Sequence, residues 1–163
     1  TRMRGTIPLR QPACLIDHRR MPSSDAPRIS TEVQVMFFDT DCAAVVHNIA
    51  YLRFIEIART LLAEQLGLGL AQMAEDQKYP VVVRTEIDYR RAARLGDKLT
   101  IEGWLDRVER VRFWCAFRIV RAADDVLVAE CRQMLAMIQM PSATLLRLPE
   151  HWQQYRPDET AKS

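Results

Sequence analysis

From Thr31 to Phe38 the chain alternates, with Val33, Val35 and Phe37 on one face and Glu32, Gln34 and Met36 on the other, the period of a half-buried strand. The strand pattern ends in two acids, Asp39 and Asp41, and the periodicity then changes. From Ile49 to Leu66 there is no Gly or Pro, and Ile49, Leu52, Phe54, Ile55, Ala58, Leu61, Leu62 and Leu66 form an apolar surface wide enough for burial on more than one side of a helix. Asn48 is the expected N-cap, and Gly67 and Gly69 end the helix. A second short helix is expected over Leu70 to Gln77 before Tyr79-Pro80 restarts extended chain.

Val81, Val83, Thr85, Ile87 and Tyr89 alternate with Val82, Arg84, Glu86, Asp88 and Arg90, a strand with a strongly charged face. A turn at Arg94-Leu95-Gly96-Asp97 leads into a third strand running to Val108. Glu109-Arg110 breaks the pattern, and Phe113, Cys115, Phe117 and Ile119 mark a fourth strand. Asp124-Asp125 makes the next turn, Val126 to Gln139 reads as a long last strand, and Pro149 to Tyr155 closes as a short helix. One helical insert after the first strand, followed by four antiparallel-type strands, predicts an α+β fold: a twisted sheet around one long central helix.

Composition changes little in this picture. The 163 residues, 48% hydrophobic and 27% charged, fit one folded domain with a sizeable core. A net charge of +2, without aromatics interleaved among basic clusters, argues against nucleic acid as a partner. The four cysteines show no paired metal-ligand spacing, so no metal is expected, and they fit a reduced, cytoplasmic setting. No apolar run reaches the ~18 residues of a membrane span. Residues 1–29, rich in Arg and Pro, read as an N-terminal extension to a domain over 30–156, with 157–163 as a tail.

Asp39-Thr40-Asp41, Val45-Val46 and the run Asn48…Tyr51-Leu52-Arg53-Phe54…Glu56 resemble the signature of hotdog-fold acyl-CoA thioesterases, in the 4-hydroxybenzoyl-CoA thioesterase-like branch. The segment Asp88 to Leu99, with its Leu-Gly-Asp turn, resembles the family's junction between two strands, and the likeness spans roughly Thr31 to Arg156. The resemblance implies a hotdog fold and a homodimer, or a dimer-of-dimers tetramer, whose sheets join at edge strands. It also implies hydrolysis of an acyl-CoA, aromatic or short to medium aliphatic, with no cofactor; an acyl carrier protein is a possible alternative carrier.

Carried over residue by residue, Asp41 takes the role of nucleophile or general base, and the backbone N–H of Asn48, seven residues on, polarises the thioester carbonyl. A thiolate leaves readily, so thioester hydrolysis needs little general-acid help. Without the resemblance Asp41 reads as a turn-capping acid and Asn48 as a plain cap. Asp39 is expected to hold the loop through backbone N–H groups. Val45, Val46, His47, Tyr51, Phe54 and Val82 are the expected substrate-pocket residues, with His47 a wall or loop residue rather than a base. Arg107, Arg110 and Arg112, at the break between the third and fourth strands, are where related enzymes meet CoA phosphates; a solvated turn is the equal alternative. Glu56 is expected to pair with an arginine. Ala44 stands where the family usually has Gly, which would strain the loop if that position takes a positive φ. Two other readings remain open: a hotdog protein that binds acyl-CoA without turnover, and a hotdog dehydratase.

Overall fold

The computed structural model describes Ile16 and residues 26–155. Most of the expected extension, and all of the tail, lie outside the described residues. The elements are β1 (Arg28–Gln34), a 3-10 turn (Phe37–Asp39), α1 (Asn48–Gln65), α2 (Leu70–Asp76), β2 (Lys78–Tyr89), β3 (Lys98–Val108), β4 (Arg112–Arg121), β5 (Val126–Gln139), β6 (Thr144–Leu145) and a closing 3-10 helix (Glu150–Tyr155). The main strands lie in the order β1-β3-β4-β5-β2 and pair antiparallel throughout, with β6 added to the end of β5. This is the α+β architecture expected from the alternating patterns.

The alternation decides which face meets the helix. Leu99, Ile101 and Leu105 of β3, Phe113, Cys115, Phe117 and Ile119 of β4, and Cys131 and Leu135 of β5 point inward with Phe54, Ile55, Ala58 and Leu62 of α1. At roughly 1.5–3 kcal/mol for each large side chain withdrawn from water, this cluster is the main stabilising term. Charged residues on the outward face are cross-linked by ion pairs such as Arg132–Asp106 (2.8 Å) and Arg118–Glu102 (3.4 Å), and Trp104 and Ala116 pack there with Ile16. Gly103 lacks a side chain for a steric reason: a Cβ there would stand 2.9 Å from the Phe117 ring. Gly96, at φ +86°, makes the tight Leu-Gly-Asp turn into β3.

Three details depart from the sequence reading. The first strand is β1, beginning at Arg28 and ending at Gln34, and the following 3-10 turn swings Phe37 out, so it is 81% exposed rather than aligned with Val33 and Val35. Helix α1 is capped by His47, not Asn48: His47 Nδ1 accepts from Ala50 N (3.3 Å), and Asn48 is the first helical residue. Burial of α1 on more than one side is not found within one chain. The helix packs on β1, β3 and β4, while Ile49, Leu52, Ile57 and Leu61 are exposed along its flanks, as are Val82, Val83 and Tyr89 on the β2 edge.

Candidate active site

The loop joining β1 to α1 is a narrow hairpin. His47 N donates to Asp39 O (3.1 Å), Thr40 bridges Val46, and Asp41 N donates to Val45 O (2.9 Å). A second loop, between β2 and β3, closes over it: Val46 N donates to Ala93 O (2.9 Å), Leu95 N to Ala44 O (3.1 Å), and Val45 bridges Arg94. At the tip, Asp41 Oδ1 accepts from Ala43 N (2.8 Å) and Val45 N (3.3 Å), so the exposed carboxylate organises its own turn. Ala44 adopts φ +55°, the left-handed conformation that the Gly usual in the family would take without strain.

Beneath the tip, Asp39 is 1% exposed. Its Oδ2 accepts from Met36 N (2.8 Å) and its Oδ1 pairs with Arg53 Nη2, while the Arg53 guanidinium lies over the Phe38 ring at 4.9 Å. Asp39 is thus a structural acid holding the loop to α1, through a backbone N–H as expected and through an arginine as well.

A cavity of about 300 Å³ opens beside the start of α1, lined by Val45, Val46, Asn48, Tyr51, Tyr89, Arg90, Arg91 and Ala92. Tyr51 is buried; its hydroxyl accepts from Ala93 N (3.2 Å), and its ring meets Tyr89 at 5.4 Å, giving the cavity an aromatic wall. Burial pushes the Tyr51 phenol above its usual value, so it stays neutral. As the first helical residue, Asn48 has a backbone N–H with no partner within the helix, next to the positive end of the helix dipole. Asp41 is not itself a lining residue; it meets the cavity through Val45, its partner across the hairpin.

Of the expected pocket residues, Val45, Val46 and Tyr51 come together here, with Asn48, the expected backbone donor, beside them. His47 adjoins them as the helix cap. Phe54 faces the core, and Val82 lies exposed on β2 away from this cavity. Glu56 pairs with Arg59 (3.1 Å), as expected. Arg107 sits at the far end of β3, eight residues beyond Leu99, which at roughly 3.3 Å per residue is about 26 Å along the strand, and Arg110 and Arg112 follow in the turn and at the start of β4. There Arg107 meets Glu109 at 3.5 Å. Tyr89 was not among the expected site residues, although it belongs to the Asp88–Leu99 segment that carried the second part of the resemblance.

A second cavity, of about 200 Å³, lies at the other end of α1 among Leu62, Leu66, Leu70, Met73, Tyr79 and Phe113. A polar bar borders it, in which Arg59 Nη1 donates to Gln133 Oε1 (2.8 Å) and Gln133 Nε2 to Thr85 Oγ1 (3.3 Å). Among the described residues no cluster suited to holding a metal occurs, and no helix is long and apolar enough to cross a membrane.

Residues 35–155 match the model of the thioesterase-like superfamily. The acyl-CoA thioesterase YbgC of Haemophilus influenzae is 36% identical over 122 residues, covering 74% of this chain and 88% of the relative. A 1,4-dihydroxy-2-naphthoyl-CoA hydrolase from Synechocystis is 30% identical over 124 residues, covering 75% and 89%. Among solved structures, a 1,4-dihydroxy-2-naphthoyl-CoA thioesterase from Synechocystis superposes with a TM-score of 0.70 at 26% identity, covering 81% of this chain and 97% of that one. A probable thioesterase from Bartonella henselae gives 0.69 at 25% identity, covering 75% and 99%. With a helix held in a curled antiparallel sheet, and with family and relatives agreeing over the same residues, the chain belongs to the thioesterase-like superfamily, the hotdog-fold acyl-CoA thioesterases.

Proposed function

We propose that this enzyme hydrolyses an acyl-CoA to the free acid and CoA, with Asp41 as nucleophile or general base and the Asn48 N–H as the donor to the carbonyl oxygen. The observation that carries this reading is the convergence of the Asp41 hairpin and the unpaired start of α1 on one cavity. In the nucleophilic route an Asp41 oxygen bonds to the carbonyl carbon, the carbon–sulfur bond breaks, and CoA leaves as thiolate. Water then cleaves the mixed anhydride, regenerating Asp41. In the general-base route Asp41 takes a proton from the water that attacks. In both, negative charge develops on the thioester oxygen, where a fixed N–H at a helix start is worth most; losing one such donor in other enzymes costs roughly 2.7–4 kcal/mol.

The Tyr51–Tyr89 wall and the volume of about 300 Å³ favour an aromatic or short to medium aliphatic acyl group over a bulkier one. The name of one relative, a 1,4-dihydroxy-2-naphthoyl-CoA hydrolase, specifies an aromatic acyl group.

The uncovered flank of α1 and the apolar β2 edge support a homodimer paired through β2. Tyr89 ends β2 at the cavity, whereas its first residue, Lys78, is level with the sheet end that carries Arg112, because both strands pair with the last residues of β5. Antiparallel pairing of two β2 edges would therefore bring one subunit's Arg110 and Arg112 toward the other's cavity. In this arrangement those arginines serve CoA across the interface.

The deciding experiment is free-thiol release from a panel of aroyl and aliphatic acyl-CoAs by wild type and Asp41→Asn. Asn can still accept from Ala43 and Val45, so the fold is kept, and turnover is expected to drop by about 10²–10⁴-fold. Full turnover by Asp41→Asn overturns the role of Asp41. Binding of acyl-CoA by wild type without release of thiol supports the non-catalytic reading instead.

A further inference from the structure

The β2–β3 loop carries more positive charge than its acids neutralise. Arg90 takes up Asp88 (3.1 Å) and the buried Glu130 (3.0 Å), while Arg121 takes up Asp124 (2.9 Å) and approaches Asp97 (3.6 Å). Asp97 also accepts from the backbone N–H of Arg94 (2.8 Å), and Asp41 Oδ1 accepts from its own turn. The acids nearest the cavity are thus engaged. Arg91 and Arg94 are exposed, and among the described residues neither guanidinium is within ion-pair distance of a carboxylate; Arg91 Nη1 donates only to the Arg90 carbonyl (2.9 Å).

Their position gives that charge a use. Arg91 lines the cavity with Asn48, and Arg94 is bridged to Val45, so both stand on a loop stitched by backbone hydrogen bonds to the Asp41 hairpin. Resting on the acyl-CoA reading above, we propose that Arg91 and Arg94 bind the phosphates of the CoA nucleotide from within the same chain as the cavity. A guanidinium fork matches phosphate oxygens in pairs, and two forks three residues apart on a pinned loop hold the nucleotide while the pantetheine arm reaches to the helix start. The arginines at the β3–β4 turn of a partner would then supplement this site rather than form it.

The test measures binding of CoA and of 3′,5′-ADP to the full chain by calorimetry, with wild type, Arg91→Ala/Arg94→Ala and Arg91→Lys/Arg94→Lys. Wild type is expected to bind both ligands, with affinity falling as salt rises. The alanine pair should weaken binding by about tenfold for each guanidinium removed, and the lysine pair should recover part of it. The second readout compares an acyl-CoA with the same acyl group on N-acetylcysteamine, which has no phosphate. The alanine pair should raise KM for the first by a clearly larger factor than it lowers kcat/KM for the second. Unchanged CoA affinity in the alanine pair overturns the proposal, as does no CoA binding by wild type or an equal loss on both thioesters. Because the binding arm needs no turnover, an inactive wild type would sink the thioesterase reading, while the loss or retention of CoA affinity in the alanine pair would still uphold or overturn this one.

Discussion

Replacing Ala44 by Gly should stabilise the protein, against the usual direction of such a change. At φ +55° an L-residue carries a left-handed penalty of roughly 1–2 kcal/mol. Gly escapes it but brings more freedom to the unfolded chain, which costs about 0.5–1 kcal/mol. Ala44 is exposed, and its hydrogen bonds, N to Asp41 O and O from Leu95 N, are made by backbone, so removing the methyl forfeits almost no packing. The net expectation is a gain of about 0.5–1 kcal/mol, read as a rise in Tm of about 1–4 °C for a chain of this size. Ala44→Asn, which tolerates the same region, should match or slightly exceed wild type. Ala44→Val, β-branched, should fall at least about 1 kcal/mol below it. Urea melts of the four proteins rank them. Gly less stable than Ala, or Val as stable as Ala, would refute the reasoning, because either result means that backbone strain at this position does not govern stability.

Three further outcomes are expected. Arg53→Met leaves the Asp39 carboxylate buried without its partner; because Arg53 is half-exposed, the loss should be about 2–3 kcal/mol, below the roughly 3–5 of a wholly buried pair, and unfolding midpoints would show it. Gly103→Ala drives a Cβ to 2.9 Å from the Phe117 ring and 3.2 Å from Ile29, so about 1–3 kcal/mol should be lost; an unchanged Tm would mean that β3 and β4 separate easily. Burial pushes the Cys115 and Cys131 thiols from 9.0 up to about 12. The unfolded chain releases these protons from about pH 9, whereas the folded chain keeps them until about 12. Their contribution is therefore complete below pH 9 and is lost as pH rises between those values, and a Cys115→Ala/Cys131→Ala variant should show a flatter fall; an identical slope would exclude them as the cause.

Strand β5 could be read from sequence to its last residue, because a long run free of Gly and Pro, bounded by Asp124-Asp125 and Pro141, leaves little choice of ends. Helix α1 was placed within a residue for similar reasons, yet its cap was assigned to Asn48. The imidazole of His47 can accept a backbone N–H as a carboxamide does, and what selects it is the bond from His47 N to Asp39 O, a contact that no local pattern reports. Phe37 faces outward because the strand stops at Gln34, and alternation cannot show where the pattern ceases to be a strand. The flanks of α1 looked buried because their apolar residues are real, but periodicity does not say whether the covering surface belongs to the same chain. The site residues that lie together, Val45, Val46, Asn48 and Tyr51, are close in sequence; Tyr89 and Arg91 reach them only through the folding of β2 against the sheet.

The loop that carries Asp41 takes much of its shape from main-chain bonds to Asp39, Val45, Ala93 and Leu95, and the side chains that tie it are the carboxylates of Asp39 and Asp41 rather than those facing the cavity. Cavity-facing positions such as Val45 and Val46 can therefore change in size or polarity while the Asp41 loop keeps its path. Such a scaffold lets mutation search among acyl groups without first solving the problem of folding again. Ala44, left-handed in a place suited to Gly, is a residue of that freedom: the weave is strong enough to hold its shape even around a locally unfavourable amino acid.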